Sequence, residues 1–227
     1  FLPAGLERET IINFIPIPSK KNISLGLISS DGKFKRISIN EIIDISNRST
    51  TILKLRNNIK LNSCFLCQEN SYLITISNIG RIIKIKITEK DFPYMGKLAQ
   101  GTSIIKLFPG ENIIKSLNIK EKEIKDLIMI TNKCTFIKHN TNEIRISKKG
   151  YLGIIGINFK DSKKPKGRII NCFINNNYIY IKTNKEKYEK LDKNQIDNSL
   201  YKQEKKLNLN LNENEFIESI YSMVLPE

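Results

Sequence analysis

A strand-rich pattern returns about every 52 residues, and this periodicity limits the chain to a repeat architecture. A hairpin-like segment occupies residues 25–36, 73–84 and 127–138, with a degenerate copy at 178–189. The turn positions of these four segments, 48, 54 and 52 residues apart, are Gly32, Gly80, Cys134 and Glu186. Units of this length cannot bury an apolar face alone, so they stack into solenoids, propellers or related arrays.

Two further strand-like units follow each hairpin. The first contains an apolar residue that recurs every 52 positions, at Leu55, Leu107, Phe159 and Leu211. The second occupies Ile59–Phe65, Ile113–Leu117, Ile169–Phe173 and Phe216–Ile220. Another copy of this last unit, Ile11–Phe14, precedes the first hairpin, which predicts that the sequence opens inside an earlier repeat.

Alternating, β-branched segments with glycine-containing turns predict an all-β chain. Each repeat supplies four short strands, and Asp31-Gly32 and Ile79-Gly80 supply hairpin turns because glycine tolerates positive φ. Four-stranded blades at this spacing indicate a propeller-like radial array of at least four blades and a partial one. A pair of stacked β-sandwiches is the alternative, which the regular repeat disfavours. We expect one domain, residues 1–227, with repeats at about 5–20 (partial), 21–68, 69–120, 121–175 and 176–227.

Little of the sequence favours helix. Asn40–Ile45 and Thr88–Phe92 are each long enough for one short helical turn. The polar, charge-dense stretch Asn184–Lys206 is interpreted as a degenerate outer hairpin followed by a loop.

The chain is strongly basic, with a formal net charge of +15 and a pI of about 9.6. The excess is concentrated in residues 51–150, which carry 18 Lys or Arg against 8 Asp or Glu. A basic block of this kind suits a polyanionic partner. The abundance of Ile, Asn and Lys offers another source for the charge, the composition bias of an AT-rich genome.

Several classes of site and location are disfavoured. A single histidine excludes a histidine-rich metal or acid–base site. No apolar run approaches the roughly 18 residues of a membrane span, and the start at Phe1 lacks the features of a signal peptide, so we expect an excised segment without a membrane partner. Four cysteines in a chain of this length form no secreted disulfide framework, so we expect a reducing, intracellular compartment. Cys64 and Cys67 form a C-x-x-C pair without a second pair at zinc-ribbon spacing. Because Cys64 and Cys172 fill the same repeat position beside a phenylalanine, packing is the favoured role and we expect no metal.

No catalytic constellation is visible in the sequence. His139 has no nucleophile or orienting acid at a recognisable spacing, so we expect a surface or phosphate-facing position for it. The stretch Gly96–Thr102 does not satisfy the phosphate-loop pattern. Glu121 and Glu123 lie in a charge run that is typical of a solvated loop.

One repeat carries a specific family resemblance. Its elements are Gly80–Lys86, Asp91–Gly96, Gln100–Thr102, Lys106-Leu107 and Pro109–Glu111, with the same frame at Ser29–Arg36 and more weakly at Thr131–Lys138. Together they resemble a blade of the C-terminal domain found in the A subunits of DNA gyrase and topoisomerase IV, in the cyanobacterial or plastid-type branch. Thr10–Ile17 is similar to the junction strand of that family. The resemblance covers roughly residues 5–190.

The resemblance implies a β-pinwheel, in which neighbouring blades exchange strands and a basic perimeter wraps duplex DNA. It implies a non-catalytic domain without its own cofactor, since the parent type IIA topoisomerase would use ATP and Mg²⁺ elsewhere. The implied partners are duplex DNA, the rest of a homodimeric A chain and an ATPase B chain, in an A2B2 assembly. The implied location is the bacterial cytoplasm, at the nucleoid, or a plastid.

The sequence departs from gyrases at one motif. Their Q-x-R-G-G-x-G box has no match here, since Tyr94–Gln100 and Asn47–Thr50 both lack the paired glycines. An upstream position for the box and its absence both stay open, and absence would favour a relaxing or decatenating, topoisomerase IV-like role.

Basic residues recur at matched repeat positions, on the second hairpin strand and in the loop after it. We expect the strand to lie near the perimeter, and the resemblance places DNA contacts in the loop. The predicted DNA-binding residues are Lys33, Lys35, Arg36, Arg81, Lys84, Lys86, Lys97, Lys138, Lys148 and Lys149. Contacts to phosphate from such residues carry little base information. The alternative function is a propeller-like protein-interaction module with incidental basicity.

Overall fold

The computed structural model describes residues 11–17, 23–43, 50–159, 167–174, 178–191 and 193–223. The strands are β1 (Ser24–Ser29), β2 (Lys33–Ser38), β3 (Leu61–Cys67), β4 (Tyr72–Ser77), β5 (Arg81–Lys86), β6 (Thr102–Ser103), β7 (Ile113–Ile119), β8 (Asp126–Thr131), β9 (Thr135–Asn140), β10 (Ile154–Ile155), β11 (Ile169–Ile174), β12 (Tyr178–Thr183), β13 (Tyr188–Lys190), β14 (Lys205–Lys206) and β15 (Ile217–Met223). Two short helices, α1 (Asn40–Ile43) and α2 (Lys193–Asp197), accompany them. Within these ranges, neither helix has the length or apolarity to cross a membrane.

The strands form four antiparallel sheets, so the predicted all-β fold is confirmed. Their strand orders are β3-β1-β2-β6, β10-β5-β4-β7, β11-β8-β9-β14 and β13-β12-β15. Each sheet is built on a hairpin whose turn residue has positive φ, at Gly32 (76°), Gly80 (82°), Cys134 (56°) and Glu186 (60°). The turn geometry therefore recurs at all four predicted positions, although only two of them are glycines.

Three sheets receive their outer strand from a later repeat. The two residues of β6 pair with Lys33 and Phe34 of β2, about 70 positions earlier in the chain. In the same way β10 pairs with the start of β5, and β14 pairs with the start of β9. This exchange is the strand swap that the pinwheel resemblance implies, and it places one more strand outside each second hairpin strand.

The hydrophobic core lies between neighbouring sheets. Ile28 and Phe34 of the first sheet pack with Leu73 and Ile83 of the second, and all four side chains are at most 1% exposed. Corresponding clusters join the second sheet to the third and the third to the fourth. On the inner side, β7 lies between β3 and β11, and these strands line a cavity of about 650 Å³. Adjacent blades thus stabilise one another, as in other repeat arrays.

The first strand-like unit after each hairpin is shorter than predicted. The predicted units are 51–55, 103–107, 155–159 and 207–211. The two-residue strands β6 and β10 overlap the start of theirs by one residue, β14 lies just before the last unit, and residues 51–55 form no strand. Within Asn184–Lys206, helix α2 lies where a loop was expected. Of the predicted helical turns, Asn40–Ile43 is α1 and residues 88–92 form a turn closed by the Phe92 amide on the Thr88 carbonyl at 2.8 Å. The partial repeat's residues 5–10 and Asn47–Ser49 lie outside the described residues.

The segment Ile11–Phe14 forms no strand but docks as its repeat position predicts. The Asn13 side chain donates to the Cys64 carbonyl of β3 at 3.0 Å. At the equivalent position between later blades, Asn171 of β11 donates to the Ile220 carbonyl of β15 at 2.8 Å. The two asparagines therefore make the same link between successive inner segments.

The cysteines pack as repeat residues. Cys64 lies opposite Leu27 and Cys172 opposite Met129, which are equivalent positions of two hairpins. All four cysteines are free thiols, and burial raises the pKa of Cys172 to about 12. Such thiols are poor nucleophiles and behave as small apolar side chains.

Candidate nucleic-acid interface

Half of the basic residues predicted to contact DNA are buried. The exposed fractions are 0% for Lys35, 2% for Arg36, 5% for Arg81, 4% for Lys84 and 4% for Lys138. Their expected exposure at the perimeter is wrong, because the donated strand and the loop that precedes it cover β2, β5 and β9. These five ammonium and guanidinium groups face protein rather than solvent.

Three of the buried groups hold the connection that leaves the next hairpin along the chain. Arg36, Lys84 and Lys138 each stand four residues after the turn residue. The Lys84 ammonium donates to the Thr141 carbonyl at 2.8 Å, and that of Lys138 donates to the Asp197 carbonyl at 2.9 Å. Recurrence at this position therefore reflects a structural requirement of the fold.

Each of these cations also lies over an aromatic ring, at 4.3 to 4.7 Å from its centroid. The pairs are Arg36 with Tyr94, Lys84 with Tyr72, and Lys138 with Tyr201. Cation–π contacts strengthen as the cation is desolvated, and these three cations are at most 4% exposed. Desolvation lowers the pKa of Lys84.

Arg81 forms a buried ion pair with Glu111. Its guanidinium binds both carboxylate oxygens and also donates to the carbonyls of Leu152 and Lys106, at 2.6 and 2.8 Å. Burial opposes ionisation of Glu111, but hydrogen bonds from Arg81, Ser77 and the Phe108 amide hold the pKa of this carboxyl below its usual value. Through Arg81, the pair holds β5 against the two connections that contain Lys106 and Leu152.

His139 is also buried, at 5% exposure, so the predicted surface position is wrong. Its Nε2 lies 2.8 Å from the Gly156 carbonyl, and desolvation lowers the pKa of the imidazole. A neutral ring that donates to this carbonyl fits both observations.

The other five predicted residues reach solvent to different degrees. Lys33 is partly buried beside Asp31, and Lys86 pairs with Glu121 at 2.8 Å. Lys149 donates to the Asp91 carbonyl at 2.7 Å, Lys97 is partly exposed, and Lys148 is exposed. In the 120–125 loop Glu121 is exposed and Glu123 partly exposed, which agrees with the expected solvated position.

Lys97, Lys148 and Lys149 lie in two equivalent connections, residues 94–101 and 145–153, which we call the rim loops. Each leads into a donated outer strand and ends at a glycine with positive φ, Gly101 or Gly153. A side chain at either glycine would strike the backbone of the hairpin strand, with a Cβ only 2.7 Å from the Phe34 carbonyl oxygen or 2.4 Å from that of Ile82. The loops therefore pass closely over β2 and β5 and project at the outer edge of the blades.

The rim loops carry both basic and apolar side chains into solvent. Arg145 in the second loop and Lys106 just after the first are exposed, and sequence reasoning missed both. They line a cavity of about 630 Å³ together with Lys148, Tyr151 and Leu152. For Arg145 the available signal was its position in the connection ahead of a donated strand, whereas Lys106 follows its donated strand and no signal marked it. Recurrence on the hairpin strand was misleading.

The equivalent loop of the fourth repeat is shorter. A loop amide donates to the backbone carbonyl of the basic residue four places after each turn. The donors are the amides of Met95, Ser147 and Lys202. The next shared contact, an amide donating to the turn residue's carbonyl, comes from Ile104, Gly156 and Leu207. The two contacts are nine residues apart in the rim loops and five in the fourth repeat, so the projecting tip is missing there.

Comparisons with known proteins identify the same architecture. The sequence matches the family described as DNA gyrase C-terminal domain, beta-propeller, over residues 27–68, 71–120 and 125–176. No curated protein matches the chain.

Solved structures of low sequence identity share the fold. The C-terminal domain of DNA topoisomerase IV aligns over 91% of this chain and 64% of its own, with a TM-score of 0.76 at 16% identity. The DNA gyrase A C-terminal domain aligns over 89% and 66%, with a TM-score of 0.69 at 18% identity. That of E. coli ParC aligns over 90% and 83%, with a TM-score of 0.63 at 14% identity. The chain thus spans just under two thirds of the first two domains.

The family match covers more than half of the chain, and the strand exchange and blade geometry agree with it. The chain belongs to the family of DNA gyrase C-terminal domains with a β-propeller fold.

Proposed function

We propose that this chain is a non-catalytic module that binds and wraps duplex DNA along the rim loops of successive blades. The observation that carries the proposal is the repeated projection of basic side chains at the outer edge, with Lys97 and Lys106 at one loop and Arg145 and Lys148 at the next. The five buried cations are left out of the interface, because their donors are used within the protein.

The chemistry of the rim loops suits phosphate rather than base recognition. Exposed lysine and arginine side chains on mobile stems neutralise phosphates and release counterions. Such contacts fix the path of the duplex without reading its sequence. A path over consecutive blades bends the DNA, so deformable sequences would wrap more readily.

The parent protein belongs to the same proposal. We infer an A-type chain of a type IIA topoisomerase, gyrase or topoisomerase IV-like, that pairs with a second copy of itself and with ATPase B chains. ATP and Mg²⁺ would act outside this module, and the bacterial nucleoid or a plastid would be its location. The family membership and the similarity to the C-terminal domains of topoisomerase IV and gyrase A support this inference.

Salt-dependent duplex binding tests the proposed interface. Replacing Lys97, Lys106, Arg145 and Lys148 together by Gln should weaken binding of every duplex and lower the salt slope by roughly 0.9 for each phosphate that is no longer neutralised. The matched control replaces Lys120, Lys122 and Lys125, exposed residues of another loop, by Gln. Equal losses in both variants would mean that the charge acts diffusely and that the rim-loop interface is wrong.

A protein-interaction surface is the second candidate, favoured by apolar side chains at the same edge. Leu98, Tyr151 and Ile155 are 65%, 58% and 67% exposed. An interface centred on these side chains would respond little to salt, whereas phosphate binding falls steeply between low and moderate salt. Salt titration therefore distinguishes the two functions.

A further inference from the structure

A backbone carbonyl at one repeat position accepts a hydrogen bond wherever two successive outer connections meet, and we call each such place a junction. Ile52, Ile104 and Gly156 stand 52 residues apart, at the start of the segment that follows each loop. The equivalence of the last two is structural, since the amides of Ile104 and Gly156 donate to the turn residues Gly32 and Gly80 at 2.9 and 2.8 Å. The carbonyls of all three residues accept a hydrogen bond from the neighbouring blade or loop.

A different group supplies the donor at each junction. The Gly150 amide donates to the Ile104 carbonyl at 2.9 Å. Where the following loop is short, His139 Nε2 takes this place on the Gly156 carbonyl at 2.8 Å. At the first junction the donor is the Lys35 ammonium, 2.6 Å from the Ile52 carbonyl.

Lys35 makes a second bond that the other donors do not make. Its ammonium also donates to the Lys97 carbonyl at 2.6 Å, within the first rim loop. One buried cation thus bridges the outer segment at Ile52 and the loop that carries Lys97.

Both rim loops are anchored at their start by an amide, that of Met95 or Ser147, but the first has fewer backbone bonds to other segments beyond this point. The second is fixed by two backbone bonds, from Gly150 to Ile104 and from the Lys106 amide to the Tyr151 carbonyl. Leu98, next to Lys97, is 65% exposed, and the further backbone bond of the first loop, from the Ala99 amide to the Gly96 carbonyl at 3.1 Å, lies within the loop itself. The bond from Lys35 therefore replaces the backbone contacts that hold the second loop.

We propose that Lys35 is a positioning residue for DNA binding, whose buried ammonium holds the first rim loop so that Lys97 meets the phosphate backbone. Lys35 itself is fully buried and does not touch DNA. The equivalent residues of the next two hairpins are Ile83 and Ile137, so this device belongs to the first blade alone of these three. The inference rests on the proposed function, because it assigns a role to Lys35 through Lys97.

The unmodified chain provides the first test. Mild reductive methylation should label Lys97 and Lys148 quickly and Lys35 slowly, because only the last is buried. Rapid labelling of Lys35 in the folded chain would overturn the proposal without reference to DNA.

Substitution of Lys35 provides the second test. Lys35→Met keeps most of the apolar stem and removes the donors, so tryptic cleavage after Lys97 should accelerate several-fold while cleavage at Lys148 stays unchanged. Lys84→Met is the matched control, since it removes another buried ammonium whose partner, Thr141, lies outside the rim loops. Equal acceleration in both variants, or none in Lys35→Met, would contradict the positioning role.

A double-mutant cycle in duplex binding provides the decisive test. Lys35→Met and Lys97→Gln should each weaken binding, and the double variant should bind within about twofold of Lys97→Gln alone. Losses that multiply would mean that Lys35 acts independently of Lys97, and the proposal would fall. If Lys97→Gln and Lys148→Gln have no effect, the DNA interface itself is wrong. If Lys97→Gln weakens binding and Lys35→Met does not, only the positioning role is wrong.

Discussion

The basic residues of the hairpin strands and those of the rim loops differ in what surrounds them. Arg81 and Lys84 of β5 are at most 5% exposed and donate to carboxylate and carbonyl groups of the protein. Arg145 and Lys148, in the loop that crosses the same strand, are exposed. Side chains of the same charge in adjoining layers of one blade thus serve stability in one layer and, in our proposal, DNA binding in the other.

The comparison shows that repetition of a charged residue is not evidence of a ligand. Arg36, Lys84 and Lys138 recur because each connection leaves carbonyl groups that need a donor beneath the donated strand. A buried polar group without a partner is costly, so each repeat must satisfy this requirement again.

Breaking the Arg81–Glu111 pair should give the largest effect on stability. Glu111→Gln leaves the guanidinium buried with only part of its partners, and removal of one member of a buried pair costs about 3–5 kcal/mol. Chemical denaturation should show this loss as a lower unfolding midpoint at an unchanged m-value. The exposed pair Lys86–Glu121 is the control, and Glu121→Gln should leave the midpoint where it was. Equal shifts in the two variants would contradict the distinction between buried and exposed cations.

Lys84→Met should give the next largest effect. It leaves the Thr141 carbonyl without its ammonium donor and removes the cation–π interaction with the Tyr72 ring, which together cost about 1–3 kcal/mol. Because Lys84 is buried, duplex affinity and its salt slope should be those of the unsubstituted chain, measured below the unfolding transition. A lower salt slope would show that Lys84 neutralises a phosphate after all.

The same buried pair predicts how stability depends on pH. The pKa of Glu111 is held below the ordinary value of 4.5, so its ionised form contributes stability above that pH. This contribution should fall progressively as the pH drops below about 4.5 through the folded-state pKa. The gap in unfolding free energy between the unsubstituted chain and Glu111→Gln should therefore narrow on acidification. A gap that is constant from about pH 7 to about pH 3 would refute ionisation as its cause.

Much of the fold was predictable because the repeat is local in sequence. The turn positions Gly32 and Gly80 are visible from residue type, and alignment alone locates Cys134 and Glu186 at the same positive φ. The inner strands follow from alternating apolar residues, and the docking of Asn13 follows from its repeat position.

The burial of Lys35 and Lys138 could not be predicted from local sequence. It depends on strands β6 and β14, which pair with residues about 70 positions earlier and contain only two residues each. A strand that mixes cationic and apolar residues is typical of a half-exposed sheet face, and the exchanged strand and its loop bury the cations here. The resemblance to the pinwheel family implied this exchange, but its consequence for the cations required the structure.

The smallest effect on stability, and a defined effect on binding, is expected for Lys148→Gln. The side chain is exposed at the second rim loop, where its substitution removes little, so thermal unfolding should be unchanged. Binding should weaken for every duplex alike, and the slope of log affinity against log salt should decrease by roughly 0.9 if Lys148 neutralises one phosphate. Lys133→Gln is the control, because Lys133 is also exposed but lies at the hairpin turn after β8. A similar change in slope for Lys133→Gln would mean that DNA responds to total charge, and the contrast between the rim loops and the rest of the surface would disappear. A drop in the unfolding temperature for Lys148→Gln would also contradict the comparison, since it would show that a rim-loop cation stabilises the fold.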